Sequence, residues 1–217
     1  VITGDLNSSG TTGGDIFVEA PITITTNTIN SSGSIGDGGN VTLDPIGDIQ
    51  VSYINAEGGS NGVGGDVDIT AGKYFRATDT FTTENGLEAS ISSIGGDGGG
   101  TIIVRHGGAG EIPFIIGNAS LNGTFGAITN GEFTFSYFDP RTSFLYDEIL
   151  GNVSIIPDVT INQNPDVTIS QNPDVGLNIN PYPIDVKTLN IEPIVLLAET
   201  TGTIFLPLVA TNIDSLY

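Results

Sequence analysis

The chain has 217 residues, of which 14% are charged and 38% are hydrophobic. Its 25 acidic residues face only five basic ones, and the net charge of -20 makes nucleic acid and anionic membranes poor partners. Because the chain has no cysteine, disulfides, thiolate metal sites and a cysteine nucleophile are excluded. No apolar run approaches the roughly 20 residues of a membrane span, so we expect no membrane insertion. Val1 in place of an initiator methionine indicates a processed fragment.

A glycine-pair motif recurs along the first half of the chain. It begins at residues 13, 38, 64 and 99, at steps of 25, 26 and 35 residues. A repeat period of about 20–50 residues is typical of a solenoid. Polar turns precede each glycine pair, and alternating Ile, Val and Thr follow it, which indicates short strands. The four copies read Gly13-Gly14-Asp15-Ile16-Phe17-Val18, Gly38-Gly39-Asn40-Val41-Thr42-Leu43, Gly64-Gly65-Asp66-Val67-Asp68-Ile69 and Gly99-Gly100-Thr101-Ile102-Ile103-Val104.

The repeat predicts an all-β fold with a parallel β-helix over residues 1–131. Each coil of about 25 residues would add short strands that stack at roughly 4.8 Å. We expect the glycine pairs to adopt positive φ at a corner and to let neighbouring coils approach closely. An antiparallel sandwich with glycine-rich hairpins is the alternative. That fold predicts turns every 8–12 residues or so, rather than a longer recurring motif.

Aromatic residues cluster just after the last glycine pair. Eight of the 16 Phe and Tyr residues lie between Phe114 and Tyr146. The open end of a solenoid exposes unpaired backbone and apolar interior, so it needs a cover. We therefore predict an aromatic-rich cap or connection at residues 132–151, with a dedicated binding site as the alternative.

A different repeat occupies the remainder, residues 152–217. Units of eight residues begin with Pro-Asp-Val at Pro157, Pro165 and Pro173. Proline does not donate to an interior ladder, which favours turns or edge positions. The pattern predicts a β-strand arm that either crosses to a neighbouring subunit by strand addition or folds back on its own solenoid. The apolar assembly face comprises Val159, Ile161, Val167, Ile169, Val175, Leu177 and Ile179.

Some parallel β-helices are enzymes that act on polysaccharides, and such an activity would require particular side chains in this sequence. Such enzymes need clustered carboxylates, or a basic residue beside a calcium-bound carboxylate. Only Arg105 and His106 pair a base with a possible acid, and they end an alternating strand before Gly107-Gly108. That setting favours a structural pair. We therefore expect no catalytic residues and a protein that is not an enzyme.

Calcium is the remaining candidate cofactor. Glycine- and aspartate-rich turns make Asp37, Asp66 and Asp97 weak metal candidates. Calcium-binding nonapeptide loops occur in tandem, whereas these turns occur once in each coil. The position after the glycine pair alternates between charged and neutral residues, which separates like charges without an ion. We expect no cofactor beyond weakly bound calcium. In the four repeats, the residue after the glycine pair is Asp15, Asn40, Asp66 and Thr101.

Four stretches together carry a family resemblance. The most specific is Arg105-His106-Gly107-Gly108 leading to Pro113-Phe114-Ile115; the others lie at 4–16, 29–36 and 44–51. With them, residues 4–131 resemble the filamentous-haemagglutinin-like β-helical regions of large cyanobacterial surface proteins, a type also found with CHAT domains. The resemblance implies a right-handed helix, secretion and a cell-surface or adhesive role. It supplies no catalytic residues and does not extend to the eight-residue repeat.

These observations predict a secreted, non-catalytic structural protein. It would form an extracellular filament or surface layer by head-to-tail assembly with strand exchange, so its main partner is itself. A heterologous contact of this kind does not close and therefore generates a fibre. Extracellular polysaccharide is a second candidate partner. The alternatives are a monomeric surface adhesin that binds glycan or protein and, less expected, a polysaccharide-acting enzyme.

Overall fold

A computed structural model describes residues 1–108 and 111–157. Within these residues the chain is all-β and has no helix, so the predicted class is confirmed. None of the described residues forms a helix that is long and apolar enough to cross a membrane. The predicted arm beyond Pro157, with all seven residues of its assembly face from Val159 to Ile179, lies outside the described residues.

The described residues form 19 short strands. They are β1 (Leu6–Asn7), β2 (Ile16–Ala20), β3 (Ile24–Thr25), β4 (Ile29–Asn30), β5 (Val41–Pro45), β6 (Ile49–Val51), β7 (Ile54–Asn55), β8 (Val67–Ala71), β9 (Phe75–Ala77), β10 (Phe81–Thr82), β11 (Glu88–Ser92), β12 (Ile102–His106), β13 (Phe114–Ile116), β14 (Gly123–Thr124), β15 (Ala127–Thr129), β16 (Thr134–Phe135), β17 (Ser143–Phe144), β18 (Glu148–Leu150) and β19 (Val153–Pro157).

Successive repeats build three sheets that consist mainly of parallel strands. One sheet follows the order β2-β5-β8-β12-β19-β18, the second β3-β6-β9-β14-β13-β17, and the third β1-β4-β7-β11-β15-β16. In each sheet a strand of one repeat thus pairs with the equivalent strand of the previous repeat, and in the second sheet the fourth repeat adds two strands, β14 on β9 and β13 on β14. We call this arrangement the three-sheet stack.

The pairing register superimposes equivalent positions of the repeat. Two inward-facing columns are fully buried, and a shift of one residue would turn them outward, so the alternating pattern fixes the register. Together the columns form one continuous core along the stack. They comprise Val41, Val67, Ile102 and Val153 in the first, and Leu43, Ile69, Val104 and Ile155 in the second.

The glycine pairs lie at a corner where backbone segments come very close to one another. A Cβ on Gly64 would lie 1.8 Å from the Ser93 carbonyl oxygen, and one on Gly65 would lie 2.1 Å from the Gly39 oxygen. None of the eight paired glycines has φ in the left-handed region, so the expected positive φ is wrong and close approach alone requires glycine. The first glycines of the other pairs meet backbone carbonyl oxygens at 1.8 to 2.2 Å: Gly13, Gly38 and Gly99.

The long third repeat accommodates its extra residues as a hairpin. Strand β10 pairs with β11 in antiparallel orientation, and the turn between them contains Gly86 with a φ of 81°. The Phe81 ring lies 4.9 Å from the Tyr53 ring, which attaches the hairpin to the repeat below. A ring contact of this kind contributes about 1 kcal/mol.

The chain reverses direction at the end of the stack. Strand β16 pairs antiparallel with β15, β17 with β13 and β18 with β19, so each sheet ends in one reversed strand. The buried rings of Phe135 and Phe144 meet edge to face at 5.3 Å beneath this turn. The aromatic segment between 132 and 151 therefore covers this end of the three sheets.

Strand β19 lies inside the range assigned to the arm from sequence. It pairs in parallel with β12, and its Val153 and Ile155 continue the two buried columns. The inward alternation of these residues matches the pattern of the earlier repeats, which explains why the strand joins the sheet. The stack thus extends to Pro157 rather than ending before residue 152.

Candidate functional site

A ladder of polar side chains follows the glycine pairs along one corner of the stack. The Asn40 N–H donates to Asp15 Oδ1 at 2.8 Å, and the Asp66 N–H donates to Asn40 Oδ1 at 2.8 Å. The Thr101 N–H completes the series at 2.7 Å from Asp66 Oδ1. Each Asp or Asn therefore holds the backbone of the next coil.

The predicted metal candidates do not form one cluster. Asp37 and Asp66 both line an open depression of about 380 Å³, whereas Asp97 is not among its lining residues. Asp37 Oδ1 accepts the Val63 N–H at 2.9 Å, so it bonds across coils in the same manner as Asp66. Within residues 1–108 and 111–157, no three His, Asp or Glu side chains come together as a metal site.

The ladder predicts a difference between two substitutions of Asp66. Asp66→Ala should lower the free energy of unfolding by about 1 kcal/mol, because the Thr101 N–H loses its acceptor. Asp66→Asn should be nearly neutral, since its amide oxygen remains an acceptor, as Asn40 already shows one coil below. Urea unfolding of the three proteins measures the difference. Equal losses in both variants would show that charge, rather than the hydrogen bond, matters here.

Arg105 and His106 lie on opposite faces of β12, so their side chains do not act together. Arg105 faces outward, where it forms an ion pair with Asp68 and lies 3.4 Å from Thr70 Oγ1. His106 faces inward and is fully buried, in register with Ala71 on one side and Pro157 on the other. This division follows from the two-residue period of a strand.

His106 is a neutral histidine of the interior. Its Nδ1 accepts the Gly108 N–H at 3.1 Å and lies 3.0 Å from Asn122 Nδ2. Its Nε2 is buried and has no hydrogen-bond partner among the described residues. Burial lowers the pKa of His106 to about 4. The ring therefore carries no charge at neutral pH, and no reactant reaches it from solvent.

The remaining candidate is an open groove, which we call the aromatic groove. It has a volume of about 510 Å³. The residues come from the hairpin of the third repeat, from the end of β13, and from the segments after β14 and β16. They are Thr80, Glu88, Ile116, Gly117, Phe125 and Tyr137.

Glu88 is the charged group of this groove. Its Oε1 accepts a hydrogen bond from Thr82 Oγ1 at 2.6 Å, and its Oε2 accepts one from Thr80 Oγ1 at 2.9 Å. These hydrogen bonds lower the pKa of the Glu88 carboxyl, and the bond from Thr82 has the largest effect. The carboxylate is thus ionised at neutral pH and held in a fixed orientation.

Two features of the sequence point to the segments that form the aromatic groove, but they do not identify its lining residues. The third repeat is longer than the others, and it supplies Thr80 and Glu88; the aromatic cluster supplies Phe125 and Tyr137. Their convergence depends on the stacking of distant segments. Comparison with known protein families, characterised proteins and solved structures finds no match for this chain.

Proposed function

We propose that the protein is a secreted, non-catalytic structural protein, built on a right-handed parallel β-helix of the filamentous-haemagglutinin-like type. The support for this fold is that successive repeats add parallel strands to the same three sheets. Crossover connections between parallel strands are right-handed in about 98% of cases, which favours a right-handed helix. In such a solenoid each coil contacts only its neighbours, so the fold suits an extended element.

The observation that carries this proposal is the use of polar side chains within the stack. Carboxylates and amides that line its corners accept backbone N–H groups of an adjacent coil, and so serve to hold coils together. These hydrogen bonds give such side chains a structural role that requires no substrate. The side chains that bond in this way include Asp5, Asp15, Asp37, Asn40, Asp48 and Asp66.

Head-to-tail assembly is supported by the two ends of one sheet. Strand β2 forms one outer edge of this sheet, and among the described residues it pairs with β5 alone. Its Phe17 side chain is 68% exposed. Strand β19, after which the arm begins, lies near the opposite edge. An arm that adds to β2 of the next copy makes a heterologous contact that does not close, and the product is a filament.

Deletion of residues 158–217 tests this assembly. The truncated protein keeps β19 and should remain folded and rich in β-structure, but electron microscopy should show no filaments. In the full chain, Val167→Asp with Ile169→Asp should also prevent filaments, because charge on the pairing face opposes burial. Thr168→Asp, on the other face of the same alternation, is the matched control. Normal filaments from the truncated protein would show that the arm is not the connector.

A second candidate function is a surface adhesin that binds glycan or protein. The aromatic groove favours it, because the exposed Phe125 ring and the fixed Glu88 carboxylate beside it serve no evident role in holding the repeats together. Exposed apolar surface with a few placed polar groups is typical of binding sites.

A further inference from the structure

We infer that the aromatic groove binds a neutral oligosaccharide. The inference rests on the adhesin function proposed above, to which it assigns a site and a ligand class, and it is independent of filament assembly. The groove volume of about 510 Å³ lies within the range of small-ligand sites, roughly 300–1,000 Å³.

The groove is preformed by backbone hydrogen bonds. The Phe125 N–H donates to the Ala77 oxygen at 2.8 Å, which fixes Phe125 to the third coil. The Gly117 N–H donates to the Thr124 oxygen at 2.7 Å. The Gly126 N–H donates to Ser90 Oγ at 2.8 Å, and Ser90 lies on β11, the strand that also carries Glu88. A ligand therefore meets a site whose backbone is already ordered, which reduces the entropy cost of binding.

Two aromatic rings form the apolar part of the groove. Phe125 is 57% exposed, although a ring of its size is usually buried. Tyr137 is half-buried, and its ring centroid lies 4.2 Å from that of Phe138. The negative face of an aromatic ring attracts the polarised C–H bonds on the flat side of a pyranose. The phenolic hydroxyl of Tyr137 also offers a hydrogen bond to a sugar hydroxyl.

Gly117 keeps one part of the groove open. Its φ is 90°, and a Cβ at this position would lie 3.0 Å from Tyr137 Cβ. A larger residue would thus push Tyr137 from its place and strain the backbone. This glycine therefore helps to place the Tyr137 ring at the groove.

The charge of the lining selects neutral sugars. Glu88 is a carboxylate acceptor for sugar hydroxyls, and the two threonines that bond to it hold it in place. None of the lining residues is basic, and the whole chain carries a net charge of -20. Uronate and sulfate groups would be repelled at this site, whereas hydroxyl groups would donate hydrogen bonds to it.

Calorimetric titration of the full chain with four hexasaccharides, derived from cellulose, laminarin, amylose and chitin, tests the inference. At least one should bind saturably, and polygalacturonate should not. Phe125→Ala and Glu88→Gln should each weaken that binding about tenfold. Tyr146→Ala removes another exposed ring, one that does not line the groove, and should leave the affinity unchanged. Thermal unfolding of each variant verifies that the stack is intact.

The results of this titration distinguish a failure of the proposed site from a failure of the adhesin function. Hexasaccharide binding that Phe125→Ala and Glu88→Gln leave unchanged would overturn the site while the adhesin function stands. Preferred binding of polygalacturonate would overturn the ligand class. No binding of any of the four hexasaccharides would overturn the inference itself.

Discussion

Gly64→Ala is expected to destabilise the protein by about 4 kcal/mol, the range of the most damaging single substitutions. The new Cβ would lie 1.8 Å from the oxygen and 2.4 Å from the carbon of the Ser93 carbonyl. Both atoms belong to the backbone of the stack, so no side chain rotation relieves the overlap. The two backbone segments that meet at this corner must move apart, and the hydrogen bonds around them, such as that from the Gly100 N–H to the Ser93 oxygen, lengthen.

Two other glycines provide matched controls for this effect. Gly4→Ala should change stability by less than about 0.5 kcal/mol, because its Cβ meets nothing within 4 Å. Gly86 also has open space but a φ of 81°, so Gly86→Ala should cost about 1 kcal/mol through backbone strain alone. Urea unfolding of the three variants ranks these costs. A Gly64→Ala protein as stable as Gly4→Ala would refute close coil contact at the glycine pairs.

Acidification from pH 7 to pH 4 is expected to remove about 3 kcal/mol of stability through His106. Burial lowers the pKa of this residue to about 4 in the folded chain, against 6.5 for an unperturbed histidine. Between these values the unfolded chain binds more protons than the folded chain. The free energy of unfolding therefore falls as the pH falls through 6.5, and the loss is complete only below pH 4. Protonation of Nδ1 would also place a donor against the Gly108 and Asn122 donors.

The contribution of His106 can be isolated by comparing how steeply the free energy of unfolding depends on pH with and without this histidine. His106→Gln removes the titration, so its free energy of unfolding should change less between pH 6.5 and pH 4 than that of the parent protein. Glu57 acts in the opposite direction, because burial raises the pKa of its carboxyl. Its contribution to stability is largest below the pKa of the unfolded glutamate and is lost as the pH rises. Parallel pH profiles for the parent and His106→Gln proteins would contradict a buried neutral histidine.

Much of the repetitive fold could be predicted from residue spacing. The glycine pairs and the alternating Ile and Val residues mark the strands that stack in register, such as Val41 on Val67 and Ile102. The parallel stacking of strands could be predicted because every repeat has the same alternation of apolar and polar residues. Only one register buries all the apolar columns. Of the two reasons given for the glycines, positive φ was wrong and close approach was right: contact with Ser93 and Gly39 requires Gly64 and Gly65.

The candidate site could not be predicted in this way. Glu88 and Tyr137 become neighbours in one groove only after several strands have stacked and the chain has reversed at β16. The same holds for the environment of His106, whose Nδ1 lies beside Asn122 only because the segment after β13 returns to the stack.

The amino-acid sequence by itself determined the all-β class, the period of the repeat and the acidic, cysteine-free character of the protein. These properties depend on composition and on patterns that recur within a few residues or one coil. The tertiary structure alone decided the reversal after β15, the burial of His106 and the assembly of the aromatic groove. Such features occur once, and they arise from contacts between distant segments, for which no local periodicity exists.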